Sequence, residues 1–475
     1  MVRVPLGTRL AYGAPGLAFA LVGIPVYVHL PKFYADTLGV DLAFVGAAIL
    51  ASRLWDAVTD PAVGYLSDRT RTRFGRRRPF LLAGSLPLAA GAAFLMWPPA
   101  WPPAMLGWWF AAWLFVVFLA WTAVQIPHAA LGAELTTDPH ERTALFAVRD
   151  ALWIVGTLVA AAAPSLVRLA RGHPAGDERE VFATLAWIYG VGLLALPWLC
   201  ALLVAEPPSP PAATPAPVRA TREAWDNRPF RVMLVAYGIG ALGAALPGTL
   251  VLFYVEHVLQ APALAEAFLA AYFLVGVLCL PVWTRVARRI GRKRAWLVAM
   301  TLSVASFSGA FFLGPGDTWW FAAITIVSGA GFGAGLVLPA ALVADTIDYD
   351  EWRAGHRREG LYYGLWSIVT KVSAALGAAA AFPILKWSGY VPNAAAQPES
   401  VMLALQTMYS LVPCVCYAAA LLVAARFPLD DGRHAEIRRA LDERAARHDR
   451  GEGERAGAVV APSATAQPAA MEGGA

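Results

Sequence analysis

Arg53, Asp56 and Asp60 lie inside an apolar run that extends from about Phe44 to Leu66. At ~1.5 Å per residue, a helix over that run is long enough to cross a bilayer. Asp56 and Asp60 are four residues apart, so on a helix they stack one above the other, about 40° apart around the axis. Two carboxylates on one face inside hydrocarbon are costly unless a cation or a basic group sits between them. The pattern points to an ion, a proton or a charged solute bound within a membrane. Carboxylate oxygens suit sodium, and a pair of acids that can share a proton suits proton coupling. Thr59, beside them, and Thr122, in a later apolar run, can add hydroxyl oxygens. The structural alternative is that Arg53 and a loop arginine neutralise both acids.

Further charged or polar residues interrupt other apolar runs. Lys371, one of four lysines, follows Trp366-Ser-Ile-Val-Thr. An ammonium at that depth faces a cavity and seeks an acid, or snorkels to the interface. Arg149-Asp150 opens another run and faces either a cavity or its rim. Gln125-Ile126-Pro127-His128 places polar groups beside a helix-breaking proline, a pattern of solute-lining kinks. An interhelical hydrogen bond would explain His128 equally well. Asp345, Asp348 and their acidic neighbours precede Arg357 and Arg358, near enough in sequence for a gate of ion pairs, and Asp68 and Arg76 in an earlier basic loop are candidates for the same gate. Exposed pairs are worth only ~0–1 kcal/mol each, which suits a lock that must open.

The elements that must position these residues follow from hydropathy. Of the 475 residues, 58% are hydrophobic and 15% charged, and the mean hydropathy of +0.54 is that of an all-α polytopic membrane protein. Apolar runs punctuated by Pro, Gly and charge predict twelve spans, over 10–30, 43–66, 80–97, 104–132, 145–168, 182–205, 231–255, 263–286, 295–314, 318–343, 358–387 and 402–426. Three Arg-rich junctions, all after even-numbered spans, predict cytoplasmic loops and both termini inside. Gly75-Arg-Arg-Arg before the third span is echoed by Gly291-Arg-Lys-Arg before the ninth, and a Pro/Ala-rich stretch falls between the sixth and seventh. The expected organisation is an N-terminal six-helix bundle (1–205), a cytoplasmic linker (206–228), a C-terminal six-helix bundle (229–426) and a cytoplasmic, partly disordered tail (427–475). The first span is too long for a cleaved leader.

Net charge is +5, with the basic residues concentrated in loops and tail, which sets topology and does not imply nucleic acid. Cys200, Cys279, Cys414 and Cys416 fall in apolar stretches and make neither a disulfide framework nor a zinc site. No nucleophile or ligand cluster suggests an enzyme, and no structural metal or organic cofactor is expected.

Together these residues resemble the glycoside–pentoside–hexuronide:cation symporters, the melibiose-permease branch of the major facilitator superfamily. Three segments carry the resemblance: Leu10-Ala-Tyr12-Gly13; Trp55-Asp56-Ala-Val-Thr59-Asp60-Pro61 running on to Pro79; and Ala344-Asp345-Thr-Ile-Asp348-Tyr-Asp350-Glu351-Trp352 with Glu359, Gly360 and Lys371. It covers about residues 5 to 430. It implies the major facilitator fold, alternating access, and symport of a sugar or glycoside with Na+ or H+ in a plasma membrane (the inner membrane of a bacterium), by a monomer. Asp56, Asp60 and Thr122 match the family's cation-site positions, with Thr59 in place of a usual asparagine. Lys371 matches the lysine that links the cation and sugar sites, and Arg149 the basic residue near the substrate; Gln125 and Trp366 complete the expected solute site. Ala20 and Gln125 stand where melibiose permease has two sugar-holding aspartates, and Leu336 where it has a tryptophan. Cation coupling therefore carries over better than galactoside specificity. An amphipathic solute such as a lysolipid, or uncoupled uniport, are the alternatives.

Overall fold

The computed structural model describes residues 4–136, 139–171, 177–206, 224–355, 359–392, 394 and 396–449. Twelve helical segments of membrane length fill it: α1 (Leu6–Thr37), α2 (Leu42–Arg69), α3 (Arg78–Met96), α4 (Pro103–Glu134), α5 (Pro139–Ala170), α6 (Glu178–Leu203), α7 (Arg228–Val258), α8 (Pro262–Leu278 with Leu280–Ile290), α9 (Arg292–Ala310), α10 (Thr318–Ala354), α11 (Glu359–Trp387) and α12 (Glu399–Ala425). Ten are apolar enough to cross a membrane, and α8, bent by 43°, is an eleventh. The remaining one, α2, has 28 residues and is long enough to cross, with Arg53, Asp56 and Asp60 in its middle. A thirteenth helix, α13 (Asp431–Asp449), lies beyond the spans.

Local chemistry sets the breaks. Asp41 caps α2 by accepting from the amides of Ala43 and Phe44 at 2.9 and 3.2 Å. Asn227 caps α7 through the Phe230 amide while its own amide donates to the Thr346 carbonyl and the Tyr362 hydroxyl, fastening α7 to α10 and α11. Proline falls in the first turn of α3, α4 and α7, where the missing N–H is not needed.

The helices pack as two copies of one bundle of six. In the first half α1 packs on α5 and α6, α3 on α4 and α6, and α2 on α4. In the second half α7 packs on α11 and α12, α9 on α10 and α12, and α8 on α10, the same pairs six helices later. The contacts between halves obey the same relation, α2 against α11 and α8 against α5. The repeated Gly-Arg sequence has a matching geometry in each half. Gly75 and Gly291 both turn the chain at positive φ, +104° and +90°, conformations open to glycine. Arg76 reaches Glu134 at the end of α4 at 3.0 Å, and its amide donates to Glu206 just after α6. Arg292 reaches Asp345 near the end of α10 at 2.6 Å, and its amide donates to Asp431 after α12.

One apolar core includes the first half together with the ends of α7, α8, α9, α10, α11 and α12 that lie away from the basic loops. A second is confined to the basic-loop end of the second half, where α13 lays Ile437 and Leu441 against it. The halves are thus joined on the face opposite the basic loops. Small residues permit the close crossing of α1 on α5: a Cβ on Gly16 would stand 2.6 Å from the Arg149 carbonyl oxygen, and one on Gly156 2.6 Å from that of Leu17.

Candidate cation and solute site

The acids of α2 face α4 and α11. Asp56 is 1% exposed; Arg53 Nη1 donates to its Oδ2 at 2.8 Å, while its Oδ1 is buried with no hydrogen-bond partner among the described residues. The Arg53 guanidinium lies 3.7 Å over the Phe118 ring and its Nε donates to the Tyr27 hydroxyl, so it is held on three sides. Asp60, one turn along, accepts from Thr122 Oγ1 at 2.8 Å and from Lys371 Nζ. The same ammonium lies 3.9 Å from Asp56 Oδ2. Thr59 donates to the Trp55 carbonyl at 3.2 Å and keeps its hydroxyl lone pairs. Two carboxylates, the Thr122 hydroxyl and one lysine from the other half therefore converge, while the Thr59 hydroxyl turns to its own helix. The ammonium stands where a monovalent cation between the acids would put its charge.

Beside this cluster is a cavity of about 570 Å3, lined by Phe19, Asp60, Gln125, Arg149, Trp153 and Lys371 among others. Asp150 and Gly364, both exposed, lie at its mouth toward the basic-loop end of the helices. Arg149 is paired with Asp150 at 2.7 Å, and Gln125 Oε1 accepts from Trp121 Nε1 at 2.8 Å. Phe19, Trp121 and Trp153 pack edge and face with centroids 5.7 to 6.0 Å apart, giving an aromatic wall. Trp153 also lines a smaller cavity of about 230 Å3 toward the opposite face, with Tyr27, Thr157 and Thr249.

Of the expected solute residues, Gln125, Arg149 and Lys371 line the cavity. Trp366 does not: it packs 5.2 Å from the Tyr237 ring within the second half, because Ser367 and Lys371 occupy the cavity-facing stripe of α11. His128 lines the cavity and also makes the interhelical bond, its Nε2 2.7 Å from the Tyr12 carbonyl with the rings stacked at 4.5 Å. Trp153 and Phe19 were not among the expected residues. The signal for Trp153 was its place four residues after Arg149, on the same face.

Of the expected gate residues, those described pair away from one another. Arg76 and Asp345 pair inside their own halves, in the two Gly-Arg clamps, and Asp348 takes His434 Nε2 of α13 at 3.0 Å. The reason is spatial: the basic-loop face is where the cavity opens, and each clamp joins helices of one bundle. Arg357 and Arg358, and the Asp68 side chain, lie outside the described residues. Apart from Lys371 on Asp60 and Asp56, the ion pairs that bridge the halves among the described residues are on the opposite face. Lys32 of α1 holds Asp36 at 2.7 Å and Glu256 of α7 at 2.5 Å. Arg168 of α5 holds Glu178 at 2.8 Å and Glu266 of α8 at 2.9 Å. Each cation thus binds one carboxylate of its own half and one of the other. Tyr390 donates to Asp36 at 2.6 Å, and Lys386 pairs with Asp41. Burial, then the Asp36 carboxylate, raises the Tyr390 phenol above its ordinary pKa, so it stays a donor.

Residues 11–431 match the family model described as MFS/sugar transport protein. An inner membrane symporter of Escherichia coli (strain K12) is 27% identical over 431 residues, covering 88% of this chain and 91% of its own. The glucuronide carrier protein homolog of the same organism is 27% identical, covering 93% and 96%. In three dimensions the chain is similar to the nucleoside transporter NupG, with a TM-score of 0.66 at 12% identity, covering 90% of this chain and all of that one.

Proposed function

The chain belongs to the MFS/sugar transport protein family, and from that premise we propose that this transporter is a cation-coupled symporter of a small carbohydrate-like solute. The observation that carries the reading is the Lys371 ammonium on Asp60, beside the unpartnered Oδ1 of Asp56. An ammonium and a metal ion or proton compete for the same carboxylates. Entry of Na+ or H+ between Asp56 and Asp60, with Thr59 and Thr122 as further oxygens, frees Lys371 toward the cavity. The solute then meets Gln125, Arg149 and Lys371 on its polar edges and Trp153 and Phe19 on its apolar face. Each ligand improves the site for the other, and their joint binding drives rocking of one bundle on the other. Galactosides of the melibiose type are expected to bind poorly, since Ala20 and Gln125 offer no carboxylate.

The reading places the protein in the plasma membrane, the inner membrane in a bacterium, with both termini and the basic loops cytoplasmic. The bundles are divided at 206–228, and the tail beyond 427 is cytoplasmic. The state described here then opens to the cytoplasm. Relatives named as a symporter and as a glucuronide carrier homolog support a coupled carrier of sugar derivatives. Uptake of a labelled sugar panel into proteoliposomes, with Na+ and pH gradients imposed separately, tests it. Accumulation that collapses with one gradient is expected, and gradient-independent equilibration would make the protein a uniporter.

A further inference from the structure

We infer that the transported solute carries one negative charge; the inference rests on the symport reading above. Asp60, Arg149, Asp150 and Lys371 line the cavity, and Arg53 and Asp56 stand directly behind it. Among the described residues these three acids and three bases are the charged groups of the site, and they sum to zero in three pairs: Arg53–Asp56, Arg149–Asp150 and Lys371–Asp60. His128, the other titratable group on the wall, directs Nε2–H at the Tyr12 carbonyl and adds no charge while its other ring nitrogen is unprotonated. The second cavity, beyond Trp153, contributes no charged side chain.

One monovalent cation between Asp56 and Asp60 raises the sum to +1. The group that loses its partner is Lys371, whose ammonium is on the cavity side. Arg53 is fixed by Asp56, Tyr27 and Phe118, and Arg149 keeps Asp150. While the cavity is open, water screens the extra charge. When the bundles close around it that water leaves, and an unpaired ammonium in an apolar enclosure is strongly disfavoured. A monoanionic solute restores neutrality by pairing with Lys371.

The same sum accounts for coupling. With an anionic solute, the empty and the doubly loaded closed forms are both neutral, whereas cation alone leaves +1 and solute alone leaves −1. The two partly loaded forms are then the ones that fail to close, which prevents leak of either ligand. With a neutral solute the order is reversed: solute alone would close at zero charge and the coupled form would not. A sugar acid fits the remaining chemistry, its ring on Trp153 and Phe19, its hydroxyls on Gln125, its acid group on Lys371.

The test uses the purified full-length protein and methyl glycosides in matched pairs that differ only at C6, carboxylate or hydroxymethyl: glucuronide with glucoside, galacturonide with galactoside. Thermal-shift titrations are run with and without Na+ and across pH, followed by proteoliposome uptake with recording of charge movement. The expected result is at least tenfold tighter cation-dependent binding of an acid than of its neutral twin. Lys371→Gln should remove that preference, and one cation with one anion should move no net charge. Accumulation of a neutral twin under a cation gradient would overturn the charge inference and leave symport standing. Absence of any acid among the binders would also overturn it. An acid that equilibrates without regard to either gradient would overturn the symport reading and the inference with it.

Discussion

Asp60 is the residue on which Thr122, Lys371 and the proposed cation converge, and its neutral isostere isolates that role. Asp60→Asn keeps the hydrogen bond from Thr122 and removes the charge. Cation-driven accumulation should be abolished while expression and melting temperature stay close to wild type. Wild-type ion dependence in the mutant would remove Asp60 from the mechanism. Lys371→Ala acts with the opposite sign on the cation. Removing an internal competitor worth about 1 kcal/mol tightens cation binding roughly fivefold, while solute transport falls. Lys371→Arg is not expected to restore transport, because a planar guanidinium does not fill the place of a compact ammonium. Cation affinity and solute uptake measured in the same vesicles decide it, and normal coupled transport by Lys371→Ala would make the lysine structural. These residues are legible in a sequence because charge in an apolar run is costly and must have a reason. What stays hidden is which charge pairs with which: Arg53 takes Asp56 alone, so the structural alternative accounts for one acid and leaves the other for Lys371.

At the scale of elements, the crossing of α1 and α5 brings Phe19 to Trp153 and holds Arg149 at the cavity wall. Gly156→Val would place a Cβ 2.6 Å from the Leu17 carbonyl oxygen and 2.8 Å from Ala20 Cβ. Neither backbone nor small side chain can yield, so the substitution should cost about 1–3 kcal/mol and lower the melting temperature in detergent by several degrees. Gly248→Ala is the control, since a Cβ there meets nothing within 4 Å, and it should be close to neutral. Equal stability of the two variants would show that the crossing tolerates separation. The helices themselves were largely readable, because a bilayer demands a run of apolar residues for each span. Even α2 was readable by length despite its charges. Their faces were less so. Trp366 and Lys371 are five residues apart, and the helical period turns the tryptophan to the second half and the lysine to the cavity. The partners that make Arg76 and Asp345 parts of clamps are Glu206, Asp431 and His434, which follow the sixth and twelfth spans and carry no pattern that links them to a loop over a hundred residues earlier.

For the whole molecule, the state seen here is held by the face opposite the basic loops. The links across it join residues up to 354 positions apart, Tyr390 to Asp36, so a linear search near each acid finds only the partner in its own half. Lys32 and Arg168 each hold two carboxylates, one in each half. When the halves separate there, neither cation is stranded, since Asp36 and Glu178 remain with them. Opening would therefore cost one ion pair at each site and avoid an unpaired buried charge, a modest barrier suited to a face that opens in each turn of the proposed cycle. Removing the cross-half partners tests this directly. Glu256→Gln with Glu266→Gln keeps the shape of both side chains and withdraws about 1 kcal/mol per pair, shifting the balance toward the form open on this face by roughly five- to thirtyfold. A cysteine replacing Thr249, in the cavity behind the closure, reports the shift in a background from which the four native cysteines are removed. An impermeant thiol reagent added on that side should label it faster in the double variant than in the parent. Glu178→Gln, which strips Arg168 of its own-half partner and leaves the cross-half Glu266, should have the opposite effect and slow labelling. If both changes leave the rate unchanged, the closure is held by the apolar contacts of α2 with α11 and α5 with α8, and the charged pairs only decorate it.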